Sequence, residues 1–198
     1  MTIVPDSSYS YTDAIIHQFS LNTEQILALR IVAEHASAQH IDSFNQLLMG
    51  IFGEGGTGKS TLIEAIRTWF VVQGRQEELT ITAMTGSAAS HISAVTLHSA
   101  TGISIEDTDT PKTAASNRAR IAEWTGRRYL IIDEISLLDR LNMIKLDKQL
   151  QIIACNSSIQ FDGLNLLFFG DFLQFPTVSY LDLYISDSKL HTHSHYLW

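Results

Sequence analysis

Gly53-Glu54-Gly55-Gly56-Thr57-Gly58-Lys59-Ser60 lies between an apolar run, Leu47 to Phe52, and a stretch in which Leu62, Ile66, Trp69 and Phe70 recur at helical spacing. The order is therefore strand, glycine-rich loop, helix. Two glycines with four residues between them, followed by Lys and Ser, let the backbone curl so that successive N–H groups point into one concavity. The helix that follows aims the positive end of its dipole at the same place. Such a loop cradles phosphates. Lys59 is placed to reach the β- and γ-phosphates of a nucleotide and Ser60 to ligate magnesium. The candidate nucleotide-binding set is Gly53, Glu54, Gly55, Gly56, Thr57, Gly58, Lys59, Ser60 and Thr61.

The same grammar repeats outward from the loop. Leu79 to Ala83 reads as a second strand, punctuated by Thr85-Gly86 and followed by a small-residue helix over Ser87 to Ile92. Tyr129 to Ile132 is a third apolar run that ends in Asp133-Glu134, after which Met143, Leu146, Leu150 and Ile153 trace a helical stripe. Leu164 to Phe169 is a fourth run, ending in Gly170-Asp171. Continuous apolar strands alternating with helices imply an α/β fold, a parallel sheet with helices on both faces and the polar residues gathered at the strands' carboxyl ends. At that edge Asp133 is expected to hold magnesium and Glu134 to orient and deprotonate an attacking water. Gln174, in the turn Gly170-Asp171-Phe172-Leu173-Gln174-Phe175-Pro176, is a neutral amide suited to sensing the γ-phosphate. Lys59, Glu134 and Gln174 are thus the candidate catalytic residues, and Ser60 and Asp133 the candidate metal ligands.

Upstream, Asn22 and Gln25 have capping-box spacing before Ile26, Leu29, Ala33 and Ala36, which share a helix face. Residues 1–20 show no clear period and are expected to form an irregular leader, and residues 104–117 a polar surface excursion before a helix over Ala119 to Trp124. The tail, residues 179–198, reads as leading out of the domain. The formal net charge of −8 speaks against a uniformly basic wrapper of nucleic acid. The single Cys155 excludes an internal disulfide, and no apolar stretch approaches the roughly 20 residues that span a bilayer. A soluble intracellular protein is expected.

Four stretches taken together resemble the motifs of PIF-one and RecD-like superfamily 1 DNA helicases. They are the phosphate loop; Thr82 to Ala89 with Thr96-Leu97-His98-Ser99; Leu130 to Ser136; and Gly170 to Pro176. The resemblance covers residues 21–178 and implies the first RecA-like lobe, a P-loop NTPase domain. It implies ATP and Mg2+ as cofactors, five-prime to three-prime unwinding, roles in repair, recombination and telomere maintenance, and a nuclear or mitochondrial location. It implies single-stranded and forked duplex DNA as partners, with Thr85, Gly86, Ser87, Thr96 and His98 along the strand's track. Gln25 is similar to the family's adenine-reading glutamine, and this reading stands beside the capping box. For His98 a structural, buried role competes with DNA contact.

Phe175 and Thr177 depart from the leucine and second proline usual in the family. Residues 1–198 contain no second RecA-like lobe and so lack its arginines, which elsewhere raise turnover about 1,000- to 100,000-fold. The expectation for this chain alone is ATP binding without vigorous hydrolysis. A nucleotide switch without translocation, or an inactive fragment, is the competing reading. The alternating His191, His193 and His195 lack an acidic or cysteine partner and read as a solvated tail, and the cluster Arg118, Arg120, Arg127 and Arg128 reads as a helix face and strand entry.

Overall fold

The computed structural model describes residues 8–38, 46–103, 114–154 and 159–171. Five parallel strands, β1 (Leu48–Phe52), β2 (Leu79–Ala83), β3 (Val95–Thr96), β4 (Tyr129–Asp133) and β5 (Asn165–Gly170), form one sheet in the order β1-β5-β4-β2-β3. Seven α-helices are described: α1 (Ser8–Phe19), α2 (Thr23–Ala38), α3 (Lys59–Val72), α4 (Gly86–His91), α5 (Leu97–Thr101), α6 (Ala114–Trp124) and α7 (Arg140–Ala154).

Alternation along the central strands sorts the core into two layers. Tyr129 and Ile131 of β4, with Leu167 and Phe169 of β5, belong to the cluster that contains Ala28, Leu29, Val32, Leu62, Ile63, Ile66, Trp69 and Phe70 of α2 and α3. Leu130, Ile132 and Leu166 belong to the opposite cluster, with Leu97, Trp124, Met143, Leu146, Leu150 and Ile153 from α5, α6 and α7. A strand buried on both faces has no polar side to show, which is why β4 reads as an uninterrupted apolar run. The expected sheet with helices on both faces is what forms.

Two polar side chains on the central strands enter this core with partners. Asn165, 1% exposed at the start of β5, donates to Arg128 O at 2.9 Å and accepts from Leu47 N at 2.8 Å, so it seals the sheet's amino end. The Tyr129 hydroxyl meets His35 Nδ1 at 2.7 Å, and burial holds its pKa far above the phenol's ordinary value. The basic cluster is structural in part: Arg127 donates to Leu79 O at 3.2 Å, and Arg128 lies 4.0 Å from Glu78.

Three expectations change. Residues 8–19 are not irregular but form α1, whose Ile15 is buried and whose Ile16 and Phe19 pack on the first cluster. The apolar stripe is short because Thr12 occupies one of its positions, and Thr12 is inside for a reason: its hydroxyl accepts from the indole of the buried Trp69 at 3.1 Å. The helix expected from Ala119 begins at Ala114. The two-residue β3, anchored by Thr82↔Val95 and Ala83↔Thr96, and the five-residue α5 are additions too short for a periodic pattern to announce. Cys155 and the histidines of the tail lie outside the described residues, as do residues 1–7 of the leader and 104–113 of the excursion. Among the described residues no helix is long and apolar enough to cross a membrane.

Thr12→Val keeps the shape of the side chain but leaves the Trp69 N–H buried without its acceptor, a loss of about 1–3 kcal/mol. The urea midpoint should fall accordingly, while Thr12→Ser, which restores the hydroxyl, should stay near the parent. Gly170 is tight for a different reason: a Cβ there would lie 2.8 Å from Ile135 Cγ2 and 3.2 Å from Ile135 N. Gly170→Ala should therefore destabilise by about 1–3 kcal/mol in the same titration.

Candidate active site

The ladder registers bring the expected site segments that follow β1, β2 and β4 to one edge of the sheet. Phe52 pairs with Gly170 and Ala83 with Asp133, so the segments leaving β1, β5, β4 and β2 emerge side by side. Two backbone bonds join these ends: Gly53 N donates to Gly170 O at 3.2 Å, and Met84 N to Asp133 O at 3.1 Å. Thr96, at the end of β3 opposite Ala83, lies on the same edge.

In the loop after β1, Gly56 and Gly58 take φ of 82° and 85°, left-handed values that side chains resist. Thr57 fixes the curl by donating from Oγ1 to Glu54 O at 2.8 Å. Lys59 Nζ donates to Gly53 O at 2.5 Å and Glu54 O at 2.9 Å, which folds the ammonium over the loop it belongs to. Ser60 and Thr61 form the first turn of α3, whose N-cap, Gly58, supplies no side-chain acceptor. The helix thus presents its amino end to the loop uncapped, and this is the place a phosphate would fill.

Gln25 forms the expected capping box and also reaches the phosphate loop. The capping box is complete: Gln25 N donates to Asn22 Oδ1 and Asn22 N to Gln25 Oε1, both at 2.9 Å. The remaining amide nitrogen donates to Gly58 O at 3.0 Å and Thr57 O at 3.4 Å. Any side chain at position 58 would press on that amide, a close approach that the Gly-x-x-x-x-Gly spacing by itself does not reveal.

Asp133, 9% exposed, closes β4, and Glu134 follows in the left-handed region at φ 57°, ψ 41°. Burial pushes the Asp133 carboxyl above its usual range, with Glu134 adding to the rise. A backbone bond from Glu134 N, at 3.0 Å, and the electrostatic influence of Lys59 and His91 oppose it. A buried carboxylate on the same sheet edge as the phosphate loop has the chemistry to ligate a divalent ion. Sequence reasoning did not single out His91; only the folded chain brings it near. Glu134 meets a further residue: its Oε2 accepts from Thr85 Oγ1 at 2.9 Å.

Of the expected DNA track, Thr85 caps α4 by accepting from Ala88 N at 3.2 Å, and its oxygen lies 3.1 Å from Ser87 Oγ, with Gly86 and Ser87 exposed beside it. Thr96 caps α5 in the same way through Ser99 N. His98 is half-buried, its Nε2 is enclosed without a partner among the described residues, and burial lowers its pKa, in keeping with a structural role. Asp171 is buried at the end of β5, whereas Gln174 and the rest of its turn lie outside the described residues.

The sequence model of the family described as PIF1-like helicase matches residues 20–198. The ATP-dependent DNA helicase PIF1 of Saccharomyces cerevisiae is 39% identical over 131 residues, which cover 64% of this chain and 15% of that protein. A crystal structure of Pif1 helicase from Candida albicans superposes with a TM-score of 0.63 at 30% identity, covering 80% of this chain and 34% of that one. A Bacteroides Pif1 bound to single-stranded DNA superposes at 0.54 with 26% identity, over 73% and 32% of the two chains. The chain therefore spans about a third or less of the proteins it resembles, and what it shares with them is the RecA-like lobe. Its sequence motifs, its sheet and its phosphate loop lead to one conclusion: the chain belongs to the PIF1-like helicase family.

Proposed function

We propose that this lobe binds and hydrolyses ATP with Mg2+, and that in the complete protein it drives movement along single-stranded DNA and the opening of forked duplexes. The observation that carries the reading is the acid pair at the end of β4, on the same sheet edge as the phosphate loop and the uncapped amino end of α3. Gly53 to Thr61 would enclose the phosphates, Gln25 would add a contact to adenine, and Ser60 and Asp133 would hold the ion. Magnesium supplies charge neutralisation on the phosphate oxygens when bound. Lys59 would exchange its loop carbonyls for the β- and γ-phosphates, Glu134 would draw the proton from the attacking water, and Gln174 would register loss of the γ-phosphate. Thr85, Gly86, Ser87 and Thr96 stand on the same edge and would meet the strand's backbone phosphates without reading sequence, with His98 behind them.

By analogy with the family we assign five-prime to three-prime polarity and work in repair, recombination and telomere maintenance, in the nucleus or the mitochondrion. The second reading, a nucleotide switch without translocation, is favoured by the confinement of the described elements to a single lobe.

Phosphate release from magnesium-ATP, measured with and without oligo-dT, tests the assignment. Lys59→Ala should abolish saturable nucleotide binding. Glu134→Gln should keep binding and lose hydrolysis by about 100- to 10,000-fold, the usual contribution of a positioned general base. Hydrolysis surviving in Glu134→Gln would remove that residue from the role. Stimulation by DNA supports the motor reading, and turnover indifferent to bound DNA supports the switch. Turnover in this lobe should remain far below that of a two-lobed protein for want of the second lobe's arginines.

A further inference from the structure

Thr85 stands between the two halves of the proposed activity, and its hydroxyl has one proton to give. That proton goes to Glu134 Oε2 at 2.9 Å, while the same oxygen accepts from Ala88 N at 3.2 Å and lies 3.1 Å from the Ser87 hydroxyl. The contact joins residues 49 apart in sequence, and the sheet fixes it. Ala83 and Asp133 are ladder partners, Met84 N donates to Asp133 O, and Thr85 and Glu134 are the next residues out on each side. Glu134 has little freedom to leave on its own, because its backbone is held left-handed and its N–H is tied to Asp133 Oδ1. The carboxylate proposed to activate water is thus bound to a side chain proposed to touch DNA. Gly86 and Ser87 are exposed, so this turn is open to solvent.

We propose that Thr85 is a positioning residue that couples the nucleic-acid track to the chemistry: its hydroxyl restrains the Glu134 carboxylate, and a backbone phosphate on the 85–87 turn takes over the hydroxyl's proton and frees Glu134 for the attacking water. The exchange is one hydrogen bond for another. The donor O–H leaves a carboxylate oxygen for a phosphate oxygen, and no covalent bond changes. This rests on the DNA reading given above, but the restraint and the release are separable in experiment.

The test is the side-chain carboxyl 13C resonance of Glu134 in this chain at one fixed pH, assigned by its loss in Glu134→Gln and recorded with and without oligo-dT. Binding of the oligonucleotide is followed in parallel by fluorescence anisotropy. Thr85→Val removes the donor and should shift the resonance of the free protein, whereas Thr85→Ser, which keeps both the donor and the α4 cap, should leave it at the parent position. Oligo-dT should move the parent resonance towards that of Thr85→Val and leave the Val variant unmoved. In a two-lobed context Thr85→Val should also raise DNA-free turnover and bring the ratio of turnover with and without DNA close to one, with the KM for ATP unchanged. Coincident resonances in the parent and in Thr85→Val would overturn the restraint. Saturable binding of oligo-dT with no movement of the Glu134 signal would overturn the release while leaving the DNA reading intact. Absence of binding would overturn the DNA reading and the release together, with the comparison of free proteins still deciding the restraint. Should Thr85→Val fail to fold, Thr85→Ala and the parent spectrum with oligo-dT answer the same questions.

Discussion

The parallel ladder around β4 is the constraint on which the rest of the molecule depends. Because β4 pairs with β2 on one side and β5 on the other, the chemistry-bearing segments after three strands must surface together. Parallel pairing also requires a crossover between strands, and the crossovers supply the helices that bury both faces. One arrangement of hydrogen bonds therefore fixes the layered core and the location of the cleft. A shift of register at β4 would turn Tyr129 and Ile131 to the wrong layer and carry Asp133 away from Lys59.

The cleft itself is assembled from backbone geometry as much as from side chains. Left-handed residues stand on both sides of it, Gly56 and Gly58 in the loop after β1 and Glu134 after β4. For glycine the conformation costs little, whereas for Glu134 it holds only because neighbours enforce it. Gly170 is one of those neighbours, since its missing Cβ leaves room for Ile135 directly after the acid pair. The carboxylate proposed for catalysis is thus positioned by packing at the end of β5, a strand that contributes no group to it.

Much of this was legible in the sequence because it rests on local signals. The phosphate loop, the apolar runs and the acids that end one of them are each contained within ten residues, and their order implies the sheet. What stayed hidden depends on contacts across the chain. Residues 8–19 showed no clear period in part because Thr12 takes a buried position, and its partner, Trp69, is 57 residues away. Val95 and Thr96 form a strand only because β2 is there to receive them. Gln25 could be read as a cap or as a ligand contact, and no local pattern shows that its spare amide reaches the phosphate loop. The pairing of Thr85 with Glu134 follows from ladder register, which spacing along the chain does not encode.

Among the described residues β1, the strand that bears the phosphate loop, lies at one edge of the sheet, and its exposed positions alternate: Leu48 at 38% and Phe52 at 43% lie on the same face as Gly50. An outer strand with apolar side chains and open backbone groups invites a second chain to pair with it. Here Phe52 folds back so that its ring occupies the space a Gly50 side chain would need. The aromatic shields the backbone of its own strand, and the missing side chain is what lets it lie there. The sheet edge and the phosphate loop thereby share neighbouring residues, since Gly53, where the loop begins, directly follows Phe52.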